Sequence, residues 1–193
     1  MSILVLGLIL FLGVHSLRIF AGDWRQAQIA RVGEQTWKGV YSLVSAIALG
    51  LIILGYGMAR VDSPVLWSAP AWTRHLTALL TLPAFILLVA AYLPGTHIKA
   101  AVGHPMVAGV KIWALAHLLA NSKLSAVTLF AAFLIWAVLD FISARRRDRA
   151  AGRVYPARGW SRDVAAIVTG VVAWALFALY GHAWLIGVRP FGA

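Results

Sequence analysis

Between Val40 and Ala59 the chain runs for twenty residues without a single charge. A segment of that length and polarity matches the hydrocarbon thickness of a bilayer, which takes about 20 mostly apolar residues. Five further segments resemble it: Ser2–Phe20, His75–Leu93, Pro105–Ala120, Leu124–Ser143 and Val164–Ile186. The third of the six holds Pro83, read as a kink, and the fourth is short and carries Lys111. In lipid each backbone amide must be satisfied within the chain, so spans of this composition fold as helices. The expected fold class is therefore all-α: a polytopic integral membrane protein with a six-helix transmembrane bundle. His15, Ser16, Leu17 and Arg18 do not form a small-residue cleavage site, so the first segment reads as a retained helix.

Composition agrees. Of 193 residues, 62% are hydrophobic and 12% charged, against about 25% charged in soluble domains. The absence of cysteine excludes a disulfide scaffold, iron–sulfur clusters, thiolate zinc sites and covalently attached haem. Net charge is +11, yet no zinc finger, helix-turn-helix or RNA-binding signature accompanies it. The basic residues sort by loop instead. Arg18, Arg25, Arg31, Lys38, Lys99 and the seven arginines from Arg145 to Arg162 make twelve on one side, against Arg60, Arg74, Lys123 and Arg189 on the other. The positive-inside bias makes the first side cytoplasmic and leaves both termini outside. The stretch from Ala144 to Arg162 reads as a solvated basic loop, and Trp24, Trp37, Tyr41, Trp67, Trp72 and Trp184 as an interfacial belt.

Ionisable groups within spans mark function. With this topology His15, His97 and His104 lie near the cytoplasmic face, and His75, His117 and His182 near the outer one. His104 and His117 are separated by roughly 20 Å along a straight helix and point in different directions, so they do not share a metal. His15 and His104 come from different helices at one depth. Two neutral imidazoles facing each other can hold a haem iron, and Arg18 and Lys99 stand where carboxylates of such a group would need cations. The competing reading makes each histidine an interfacial or helix-packing residue. His75, His117 and His182 are second-choice ligands for an outer zinc or haem site, without supporting motif spacing. Lys111, seven residues after His104, either pairs with Asp140 on the next span or touches a bound cofactor or substrate. Met58 and Met106 are formal axial-ligand alternatives, and Met106 reads as a packing residue.

Four stretches carry a family resemblance: Gly-Val-His-Ser-Leu-Arg at 13–18, Lys-Gly-Val-Tyr-Ser-Leu-Val-Ser at 38–45, the run from Gly103 to Asn121 with its His-Pro and downstream His117, and Asp140 to Arg149. Together they resemble the NnrU family, which is similar to plant zeta-carotene isomerase. The resemblance covers nearly the whole chain and implies one NnrU-like transmembrane domain over 1–193, in a bacterial inner membrane. It also implies haem b held by histidine, here His15 and His104, and redox-dependent cis–trans isomerisation of a hydrophobic polyene. A different role that it implies is that of an accessory factor for nitrite and nitric oxide reductases in denitrification. Such a role would bring a reductase partner or a second copy of the chain. Gly103 departs from the pattern, since an arginine is expected before His-Pro.

Overall fold

A computed structural model describes residues 1–191. Its helices are α1 (Ser2–Phe20), α2 (Gly22–Val32), α3 (Glu34–Ala59), α4 (Trp72–Tyr92), α5 (His97–Val102), α6 (Pro105–Ala120), α7 (Leu124–Ala150), α8 (Trp160–Leu176) and α9 (His182–Ile186). A π-helical turn, Phe177–Gly181, joins α8 to α9 without a break in the rod. The fold is all-helical; the described residues add only an isolated bridge between Val65 and Lys123. Five helices are long and apolar enough to cross a membrane: α1, α3, α4, α7 and the continuous rod Trp160–Ile186. The sixth expected span, α6, is apolar but has 16 residues, about 24 Å at helical rise.

The spans pack as a row, α3 against α1, α1 against α7, α7 against α6, α6 against α4 and α4 against α8. Small residues set the spacing. A methyl group on Gly7 would stand 2.8 Å from the Ile52 backbone nitrogen, and one on Gly170 would stand 2.7 Å from Ile86 Cα. In lipid such close approach supplies the van der Waals contact that holds helices together, because apolar side chains gain little by leaving the acyl chains. Leu4, Leu8, Ile52, Ala126, Leu129 and Phe130 form the core where α1, α3 and α7 meet. Outward-facing Ile9, Leu54, Leu79 and Ile135 stay more than 60% exposed, an arrangement that suits lipid.

The connections tie the helices together at both ends of the bundle. At one end Leu66 and Leu124 donate backbone bonds to Ser122 and Pro64, and Lys123 Nζ donates to the Arg60 carbonyl. At the other end Asp163 accepts the backbone amides of His97 and Ile98, which binds the start of α5 to the start of α8. The same carboxylate accepts the His97 ring nitrogen at 2.8 Å, and Trp160 stacks on that ring.

Several boundaries move from their expected places. Helix α3 begins at Glu34, six residues before Val40, and α4 runs unbroken through Pro83. Residues 22–32 and 97–102, expected as connection, are helical. Most consequential is α7, which continues to Ala150 through the arginine run. Ala144 and Asp148 are buried there, so the first part of the expected basic loop is packed structure.

Candidate functional site

Where α1, α3 and α7 converge on the start of α6, they enclose a cleft of about 760 Å3. His15, Arg18, Lys99 and His104 all line it, as do four further cations, Arg25, Lys38, Arg147 and Arg153. Two acids, Asp140 and Asp148, stand among them. Helical spacing explains the convergence. Residues three and four apart share a helix face; Lys38, Tyr41 and Ser42 on α3, and Asp140, Ala144, Arg147, Asp148 and Ala151 at and beyond the end of α7, obey that rule.

His15 is held by its own helix. Its Nδ1 lies 2.7 Å from the Phe11 carbonyl oxygen. A carbonyl only accepts, so Nδ1 carries the hydrogen and Nε2 keeps a free lone pair. Phe11 stacks on the ring at 4.1 Å, with Tyr41 at 5.1 Å and Trp136 edge-on at 5.9 Å. The indole Nε1 of Trp136 is buried and has no hydrogen-bond partner among the described residues. Tyr41 and Trp37, expected in an interfacial belt, line the cleft.

His104 is held from outside its helix. Gly103 ends α5 at φ +76°, a left-handed conformation that favours glycine. His104 follows as the N-cap of α6, with Pro105 at the first helical position. A methyl group on Gly103 would lie 2.8 Å from Arg145 Nη1. The arginine expected at 103 would have to adopt a backbone conformation that favours glycine, and the Arg145 guanidinium lies beside this position. His104 Nε2 lies 2.8 Å from Asp148 Oδ2, and Tyr155 donates its hydroxyl to the same oxygen at 2.9 Å. Arg153 Nε stands 3.9 Å from Asp148 Oδ1. Burial, together with this bond to Asp148, raises the Tyr155 hydroxyl above its ordinary pKa.

The cations differ in what already engages them. Lys99 Nζ caps α4 by donating to the Ala91 carbonyl at 2.9 Å. Arg147 reaches Ser143 Oγ and the Arg18 carbonyl, tying α7 to α1. Arg25 lies over the Trp37 ring, and Lys38 pairs with Glu34. The Arg18 guanidinium has no ion-pair partner among the described residues.

The remaining sequence candidates stand elsewhere. Lys111 is not on the cleft wall; its ammonium sits 3.7 Å over the Phe141 ring, and Asp140 faces Arg147 at 3.9 Å. His117 bonds the Trp113 carbonyl and stacks on Phe130, while His182 bonds the Val188 carbonyl. His75, His117 and His182 form no three-ligand cluster, and no group of three His, Cys, Asp or Glu suited to a metal occurs among the described residues. Sequence reasoning missed Asp148 and Tyr155 because the arginine run read as solvated loop. The 140–144–148 spacing was the available signal.

A helical, strongly apolar chain with several membrane-length helices and an imidazole-lined, cationic cleft at one end defines a polytopic membrane protein with a polar site. The NnrU protein family matches residues 3–190, nearly the whole chain, and the chain belongs to that family. No curated protein and no solved structure matches it.

Proposed function

We propose that this protein binds haem b in the cleft, where His15 and His104 would hold it. One observation carries the reading: the two histidines that the sequence pairs by depth line a single cavity of about 760 Å3, and each keeps one ring nitrogen without a partner among the described residues. Cofactor sites occupy roughly 300–1,000 Å3. The donor set fits the group. Neutral imidazoles are ordinary axial ligands, Phe11, Tyr41 and Trp136 give the His15 side an aromatic wall, and the cations suit propionates. Haem would supply an iron that changes redox state and acts as a Lewis acid.

The chain's own residues bind, orient and shield. The Phe11 carbonyl fixes the His15 ring, Arg18 takes a carboxylate, and the aromatic wall keeps water from the buried face. A hydrophobic polyene entering from the lipid is the substrate class in this reading, and its cis–trans isomerisation the reaction. The reading includes six passes through a bacterial inner membrane with both termini outside, α6 being the short pass. The even alternation of connections between the two ends of the row supports it, as does the gathering of Arg and Lys at the cleft end.

The test is the absorption spectrum of detergent-purified protein from haem-replete cells, oxidised and reduced. A Soret band that weakens in His15→Ala and in His104→Ala supports the reading; its absence from the wild type refutes it. Turnover of a polyene marks an enzyme. Co-purification with a nitrogen-oxide reductase, without turnover, marks the accessory role.

A further inference from the structure

The two histidines are oriented by different kinds of partner, and the difference has a chemical consequence. His15 is held through Nδ1 by a main-chain carbonyl and offers Nε2. His104 is held through Nε2, 2.8 Å from Asp148 Oδ2. That oxygen also accepts the Tyr155 hydroxyl at 2.9 Å, and the other carboxylate oxygen faces Arg153 at 3.9 Å. A carboxylate that accepts a phenol and faces a guanidinium is ionised and has only lone pairs to offer. The hydrogen between it and the imidazole therefore belongs to His104 Nε2. In the neutral ring Nδ1 is left with the lone pair, and His104 makes no side-chain cap bond to α6 that would use it.

We propose that Asp148, braced by Tyr155 and Arg153, is a positioning residue that fixes His104 as its Nε2–H tautomer and makes Nδ1 the donor atom offered to the cleft. Resting on the haem reading, this makes the site chemically two-sided. His15 would hold the group through Nε2 and His104 through Nδ1, with a carboxylate behind the second imidazole only. A carboxylate accepting the distal N–H raises the basicity of a ligating histidine, and loss of such a partner typically costs ten- to a hundredfold in metal affinity or activity. Tyr155 sets the strength of the device, because its hydroxyl shares the same carboxylate oxygen.

Two measurements test it, the first independently of the haem reading. The first uses haem-free, histidine-15N-labelled wild-type protein in detergent, with the His104 signals identified by their loss in His104→Ala. We expect a protonated Nε2 and an unprotonated Nδ1 for this residue, and the opposite tautomer overturns the proposal. The second compares haem-loaded wild type, Asp148→Asn and Tyr155→Phe. Asp148→Asn is expected to shift the spectrum toward that of His104→Ala and to weaken haem retention about tenfold, with Tyr155→Phe intermediate. A wild-type spectrum and wild-type retention in Asp148→Asn overturn it. If the wild type takes up no haem, the proposed function fails, while the tautomer measurement still decides the role of Asp148.

Discussion

His104 and Lys111 show how far residue spacing carries and where it stops. Seven residues on one helix bring two side chains nearly to one face, and on that ground Lys111 belonged with His104. The rule holds only within the helix. His104 lies before it, as an N-cap with φ −120° and ψ 68°, so its side chain leaves in a direction the helix does not set. Lys111 turns to Phe141 instead. Depth was the sounder guide: His15, near the C-terminal end of α1, and His104, at the start of α6, line one cleft because both lie at the same end of the bundle. Arg18 followed from its place one turn after His15. Asp148 could not be inferred from a run of arginines without knowing that the helix continued. These placements divide the cations. Arg18→Gln is expected to lower haem retention about ten- to a hundredfold, since a charge-assisted hydrogen bond contributes roughly 1.5–3 kcal/mol. Lys111→Met is expected to leave it unchanged, both read from the haem content of purified protein across a dilution series.

Element boundaries were legible where composition changed sharply. Helices α1 and α6 begin and end where expected, the second because His-Pro fixes its start. Helix α7 was cut short at Ser143 because the arginines after it look solvated, yet arginine is a good helix former. The same helix buries Ala144 and Asp148 and turns its charges outward or into the cleft. Between α4 and α6 the contact includes a polar tie: Thr77 Oγ lies 2.7 Å from the Ala116 carbonyl and 2.9 Å from that of Thr73. Interhelical hydrogen bonds in membranes average about 0.6 kcal/mol and reach about 1.7. Thr77→Val is therefore expected to destabilise the fold by that modest amount in detergent-based unfolding. A loss well above 3 kcal/mol would mean that this contact organises more of the bundle than the structure indicates.

At the scale of the molecule, the order α3–α1–α7–α6–α4–α8 was not readable from the chain, because apolar spans look alike until their small residues are matched. The class of fold was readable, since lipid imposes helical spans. The absence of native cysteine makes orientation easy to check with single introduced thiols. Ser2→Cys is expected to react with an impermeant maleimide on intact cells, and Ala151→Cys only after permeabilisation. The reverse pattern would invert the topology and place the cleft at the outer face.

Haem stoichiometry decides whether two imidazoles from separate helices serve one cofactor. One haem per chain is expected in the wild type and in His75→Ala, His117→Ala and His182→Ala, and none in the double variant His15→Ala, His104→Ala. Two haems per chain, or a full complement retained by the double variant, would contradict that arrangement.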